Sequence, residues 1–158
     1  MSRSVLPSTV GRVIQGYNDW TVDSMLSPRS TDCIHEIHPA SLHRLPMNNT
    51  QFSTYFNPFL SVIRDFQLTV HNTVVDTEAK TVAVYLYSKG ETDLGPYANE
   101  YLLMLHMDEE GEKVERLVKF VDSAYSKEMF PKLKELIARQ QKEQNFTQNG
   151  KPKEAGVS

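Results

Sequence analysis

A chain of 158 residues with 39% hydrophobic content supplies one core and leaves little for a second domain. A formal net charge of -3 excludes the broadly basic surface that draws nucleic-acid backbones. The only cysteine, Cys33, cannot form an internal disulfide, no apolar run approaches the roughly 20 residues that span a bilayer, and the first ten residues lack the apolar stretch of a secretory signal. These features predict a cytoplasmic protein with no nucleic-acid partner and no membrane insertion. The sequons at Asn48 and Asn145 read as chance.

Residues 9–25 carry Val10, Val13, Ile14, Tyr17 and Met25 at helical intervals, with Ser8 or Thr9 as the N-cap. Ser27-Pro28-Arg29-Ser30 ends that helix, and residues 32–38 read as a short strand closed by Pro39. A polar loop over 43–49 leads to a second helix opening at Thr50 and rich in aromatics, with Pro58 kinking or splitting it. Strands are predicted over 66–75, 81–88, 97–107 and 113–121, joined by turn-rich segments at 76–80 and 108–112. The connection over 89–96 reads as an irregular loop, longer than a hairpin needs. A last helix over 126–144 places Phe130, Leu133, Leu136 and Ile137 on one face, with Pro131 near its start. The order of elements predicts a single α+β domain over 1–142, a curved antiparallel sheet wrapped around N-terminal helices with a C-terminal helix. Residues 143–158 lack periodicity and are expected to be a disordered tail.

Several segments, in order, carry a resemblance. They are Asp32-Cys33-Ile34-His35 followed by Pro39-Ala40-Ser41-Leu42, Arg44 before Asn48-Asn49, the stretch from Asp93 to Tyr101, and Phe120-Val121-Asp122-Ser123-Ala124-Tyr125. Over residues 10–137 the chain resembles the SnoaL-like branch of the NTF2-like superfamily, small cone-shaped proteins that include polyketide cyclases and ketosteroid isomerase. Within that branch it is similar to the isomerases of fungal meroterpenoid pathways of the terretonin and austinol type. The resemblance implies a homodimer that needs no metal and no organic cofactor. It also implies acid/base chemistry on the keto and ester groups of an apolar polycyclic small molecule. At one position the chain departs from the pattern: Lys119 stands where an acidic residue often precedes Phe-Val-Asp.

The candidate site residues follow from strand alternation and from the resemblance. His35 and His38 lie three apart in a strand, so they point to opposite faces and cannot share a metal ion. By alignment with ketosteroid isomerase, His38 lies where that enzyme carries its proton-abstracting Asp; His35 is the competing choice of base. An imidazole moves protons near neutral pH. Glu100 stands in an otherwise aromatic and apolar segment, where burial would raise its carboxyl into the range of a general acid or base. Tyr97 and Asn99 can donate to a developing enolate oxygen, but they share a face opposite to Glu100 unless a bulge follows Pro96. Arg44 offers a forked cation for a carboxylate or ester oxygen. The readings left open are an isomerase, a polyketide cyclase or xanthone-type isomerase, and a non-catalytic ligand-binding module.

Overall fold

A computed structural model describes residues 5–150. Helix α1, Val5–Asp19, presents Leu6, Val10, Val13 and Tyr17 as one buried stripe, each such burial contributing about 1.5–3 kcal/mol. The helix that the spacing predicts over 9–25 is two helices. The chain turns at Trp20, whose φ of 56° departs from the helical region, and α2 follows at Val22–Leu26, capped by the Thr21 side chain. Gly16 permits the fold-back, because a Cβ there would lie 2.4 Å from the Ser24 carbonyl oxygen.

Strand β1, Arg29–His38, starts three residues earlier than predicted. A capping box between Asn48 and Gln51 opens α3, Asn49–Phe56, and a 3₁₀ segment over Asn57–Ser61 absorbs Pro58. Strands β2 (Arg64–Asp76), β3 (Thr81–Thr92), β4 (Gly95–Met107) and β5 (Val114–Val121) then form an antiparallel meander. The order is β1-β5-β4-β3-β2, and β1 joins β5 in parallel. The curved sheet is therefore mixed rather than wholly antiparallel. Breaks in register between Val70 and Asn72 and between His106 and Met107 bend it.

The expected loop over 89–96 is instead strand on both sides of a tight turn at Asp93 and Leu94, with Thr92 paired to Gly95. Gly90, within that strand, is a packing glycine, since a Cβ there would lie 2.8 Å from Ile63 Cγ2 and 3.0 Å from the Arg64 oxygen. Helix α4, Ser123–Asn149, is capped by the Asp122 side chain, which accepts from the Tyr125 N–H. Pro131 thus lies two turns inside the helix, where it leaves the Lys127 carbonyl without its usual partner. The helix also continues past Lys142. Residues 141–150 are exposed throughout, and absence of an apolar period reports absence of burial, not of helix. The rest of the expected tail, 151–158, lies outside the described residues.

Two apolar clusters share the interior. One joins α1 and α2 to the sheet through Leu6, Val13, Met25, Val84, Leu105 and Leu117. The other lies under α4 and includes Phe59, Ile63, Tyr97, Met129 and Leu133. The candidate site occupies the seam between them.

Candidate active site

Strand alternation decides which side chains meet. In β4, Tyr97, Asn99, Tyr101, Leu103 and Leu105 are buried while Ala98, Glu100 and Leu102 are exposed. The β3–β4 register runs unbroken from Thr81↔His106 to Thr92↔Gly95, so no bulge follows Pro96. Glu100 therefore faces outward. It accepts a hydrogen bond from Tyr85 Oη at 2.9 Å on the exposed side of the sheet, and the burial expected of it is absent. In β1 the odd residues Cys33, His35 and Ile37 face inward. His38 accordingly lies outside, stacked on Phe120 with ring centroids 5.0 Å apart and 3.7 Å from Glu36. The structure separates both leading proton carriers, His38 and Glu100, from the cone's interior.

That interior is an aromatic chamber of about 50 Å³, bordered by Trp20, Tyr55, Phe59, Phe66, Tyr97 and Tyr101, with Lys119 its only lining cation among the described residues. Trp20 stacks on Phe66 at 4.1 Å and donates its indole N–H to the Leu60 carbonyl, which fixes the wall. A relay of hydroxyls runs along one side. Ser88 Oγ is 2.7 Å from Tyr101 Oη, Tyr101 Oη is 3.2 Å from Tyr97 Oη, and Asn99 Nδ2 donates to Tyr97 Oη and to Ser126 Oγ at 3.3 Å each. Asn99 Oδ1 accepts from the Glu100 N–H. With every polar atom engaged, Asn99 positions Tyr97 rather than offering a free donor. Burial raises the pKa of both tyrosines, Tyr101 well above its ordinary value, so the phenols stay protonated and can donate.

Lys119 joins this face through β5. Leu117, Lys119 and Val121 alternate inward, and Lys119 is half-buried with Nζ 5.7 Å from the Tyr101 ring centroid. Burial first, and then repulsion from Arg29 and Arg44, push its pKa down to about 8. No carboxylate lies within 4 Å of its ammonium among the described residues. The lysine that departs from the family pattern is thus the cation among the residues that line the inner chamber. Sequence reasoning passed over it, although its register two residues from Leu117 and Val121 carried the signal.

His35 faces inward, fully buried behind the chamber wall and packed against Phe52. Arg29 Nη2 lies 3.1 Å from His35 Nδ1. Arginine can only donate, so Nδ1 accepts and the proton sits on Nε2, which has no partner among the described residues. Burial, with Lys119 and Arg29 nearby, holds its pKa well below the ordinary value. His35 is therefore a neutral N–H donor, not a free base. Arg29, which the sequence placed in a turn, is buried over the Phe52 ring and also donates to Tyr17 Oη.

Tyr55, Lys119 and Phe130 also line a second space of about 390 Å³ beside α4, so these three side chains stand between the two. Arg44 lines this outer space, its guanidinium 5.5 Å from the Tyr55 ring centroid and 5.7 Å from that of Phe130. The loop that carries it is tied to β1 by the reciprocal backbone hydrogen bonds of His35 and Met47.

No family model matches the chain, but individual proteins do. It is 31% identical to the monooxygenase AacuP of Aspergillus aculeatus over 85% of this chain and 92% of that one. It is 33% identical to austinoid biosynthesis cluster protein H of Aspergillus calidoustus over 78% and 86%. The crystal structure of the BvnE pinacolase of Penicillium brevicompactum superposes with a TM-score of 0.80 at 31% identity, covering 85% and 93%. The chain belongs to the SnoaL-like branch of the NTF2-like superfamily. Its relatives there are proteins of fungal secondary metabolism, meroterpenoid enzymes among them.

Proposed function

We propose that this SnoaL-like protein is a cofactor-independent isomerase that rearranges a polycyclic keto or ester intermediate, meroterpenoid or polyketide-derived, by enolate chemistry. The observation that carries the reading is Lys119, an amine whose pKa is pushed down to about 8 inside an aromatic chamber, beside buried tyrosine hydroxyls. Neutral Lys119 takes the proton next to a carbonyl, and Tyr97, held by Asn99, donates to the enolate oxygen. The skeleton rearranges, and the lysine returns the proton at another carbon. Arg44 binds a carboxylate or ester oxygen at the chamber's outer side. A substrate of several rings fills the outer chamber, displaces Tyr55 or Phe130, and inserts its reacting edge into the narrow inner one. Lactonisation or ester hydrolysis in the same space is compatible with these groups.

The assembly is a homodimer in the cytoplasm. Ile34, Tyr85, Leu102 and Phe120, each about 40% exposed, leave apolar surface on the outer sheet face that a second copy covers, and the free thiol of Cys33 suits a reducing compartment.

The test incubates purified protein with a panel of polycyclic keto and ester intermediates and no cofactor. The expected result is a product of unchanged mass and altered retention that requires Lys119. Tight binding without conversion marks a ligand-binding module and ends the isomerase reading. A second reading rests on the monooxygenase name of AacuP: an electron-rich enolate formed in the same chamber reacts with dioxygen. Incubation under ¹⁸O₂ separates the two, because oxygenation adds labelled oxygen and isomerisation adds none.

A further inference from the structure

The outer chamber has a charge opposite to that of the whole chain. The protein carries a net charge of -3, yet Arg44, Lys119, Lys127 and Lys134 line this one space and no Asp or Glu does. Carboxylates in the neighbourhood are engaged elsewhere: Glu128 with Lys132, Glu135 with Arg139, Glu36 with Arg116, and Asp122 as the cap of α4. None of the four cations has a carboxylate within 4 Å among the described residues. Between them stand apolar groups, Ile37, Leu42, Val121, Phe130 and Pro131. Cations interleaved with apolar surface suit an anion carried on a hydrocarbon skeleton; a free polyphosphate has no use for the apolar part.

We infer that the substrate enters as an apolar polycycle bearing a free carboxylate, held at the outer chamber by Arg44, Lys127 and Lys134 while its rings point toward Lys119. This rests on the proposed reading of the two chambers as the substrate site and adds the ionic class of the substrate. The anion supplies the counter-charge that the chain withholds, and water is excluded from one side of the pairs by Phe130 and Val121.

Trp20, the only tryptophan, lines the inner chamber and reports its occupancy by fluorescence. The probes are dehydroabietic acid, a tricyclic carboxylic acid, and its methyl ester, titrated at low salt. The acid is expected to bind about tenfold or more tightly than the ester, and the difference is expected to shrink at about 0.5 M sodium chloride through screening. The exposed pair Lys127→Gln/Lys134→Gln removes most of the difference without touching the core, whereas Lys132→Gln, on the same helix but paired with Glu128, preserves it. Equal affinity of acid and ester overturns the inference and leaves the apolar site standing. Binding of neither probe removes the apolar site, and the inference with it. Displacement of the acid by inorganic pyrophosphate at lower concentration than by acetate makes the site one for phosphates, which also overturns it.

Discussion

The two faces of β4 carry similar chemistry to different ends. Outside, Glu100 is held by Tyr85 in contact with solvent, and on the same side of the sheet His38, in β1, rests on Phe120 of β5. Inside, one residue further along, Tyr101 bonds Tyr97 and Ser88 with no solvent to compete. A charge on the outer face is screened by water and loses little when its partner is lost. On the inner face the same kind of group changes its pKa, as Lys119 does, and each unmade hydrogen bond costs more. Shielding from water therefore follows the side of the strand rather than the residue type.

The largest effect is expected of Lys119→Met. Turnover of any converted substrate is expected to fall about 1,000-fold, with the thermal midpoint unchanged or raised, because an unpaired cation leaves the interior. A variant that retains activity removes Lys119 from the chemistry. The pH dependence supplies a sign. With a folded pKa of about 8 against an ordinary 10.5, the unfolded chain binds more protons between those values. The contribution of Lys119 to stability must then rise with pH across that window. Melting curves of the parent protein and Lys119→Met from pH 7 to 10.5 are expected to converge as pH rises; parallel curves refute the shift.

Tyr97→Phe deletes the donor while keeping the ring, and turnover is expected to fall about 100-fold with KM little changed. On the outer face, Phe120→Lys places a cation in the apolar surface and is expected to yield monomers in sedimentation velocity, with the fold intact by circular dichroism. The smallest effects belong to Glu100→Gln and His38→Ala. Each should alter stability by no more than about 0.5 kcal/mol and turnover by less than about twofold. A large loss of turnover in either restores the outer face as a catalytic surface.

Much of this was legible in the chain. Alternation in residues 97–107 placed Tyr97 and Asn99 opposite Glu100, and the absence of a bulge settled which group faces the cone. The inward placement of His38 did not hold, because its neighbour Pro39 marks a strand end without saying which face comes last. Glu100 was read as buried from the apolar character of its neighbours, but Leu102 and Phe120 beside it are themselves half-exposed.

Local periodicity and the order of motifs along the chain were enough to set the α+β class, most of the elements and the family, but not the break at Trp20 or the strand pairing across 89–96. Tertiary structure decided which face of each strand closes on the cavity, and that Lys119 shares it with Tyr101 from the next strand. The physical reason is that a pKa and a counter-charge depend on what surrounds a group. Arg29 and Arg44, which help to push Lys119 down, stand 90 and 75 residues away from it along the chain.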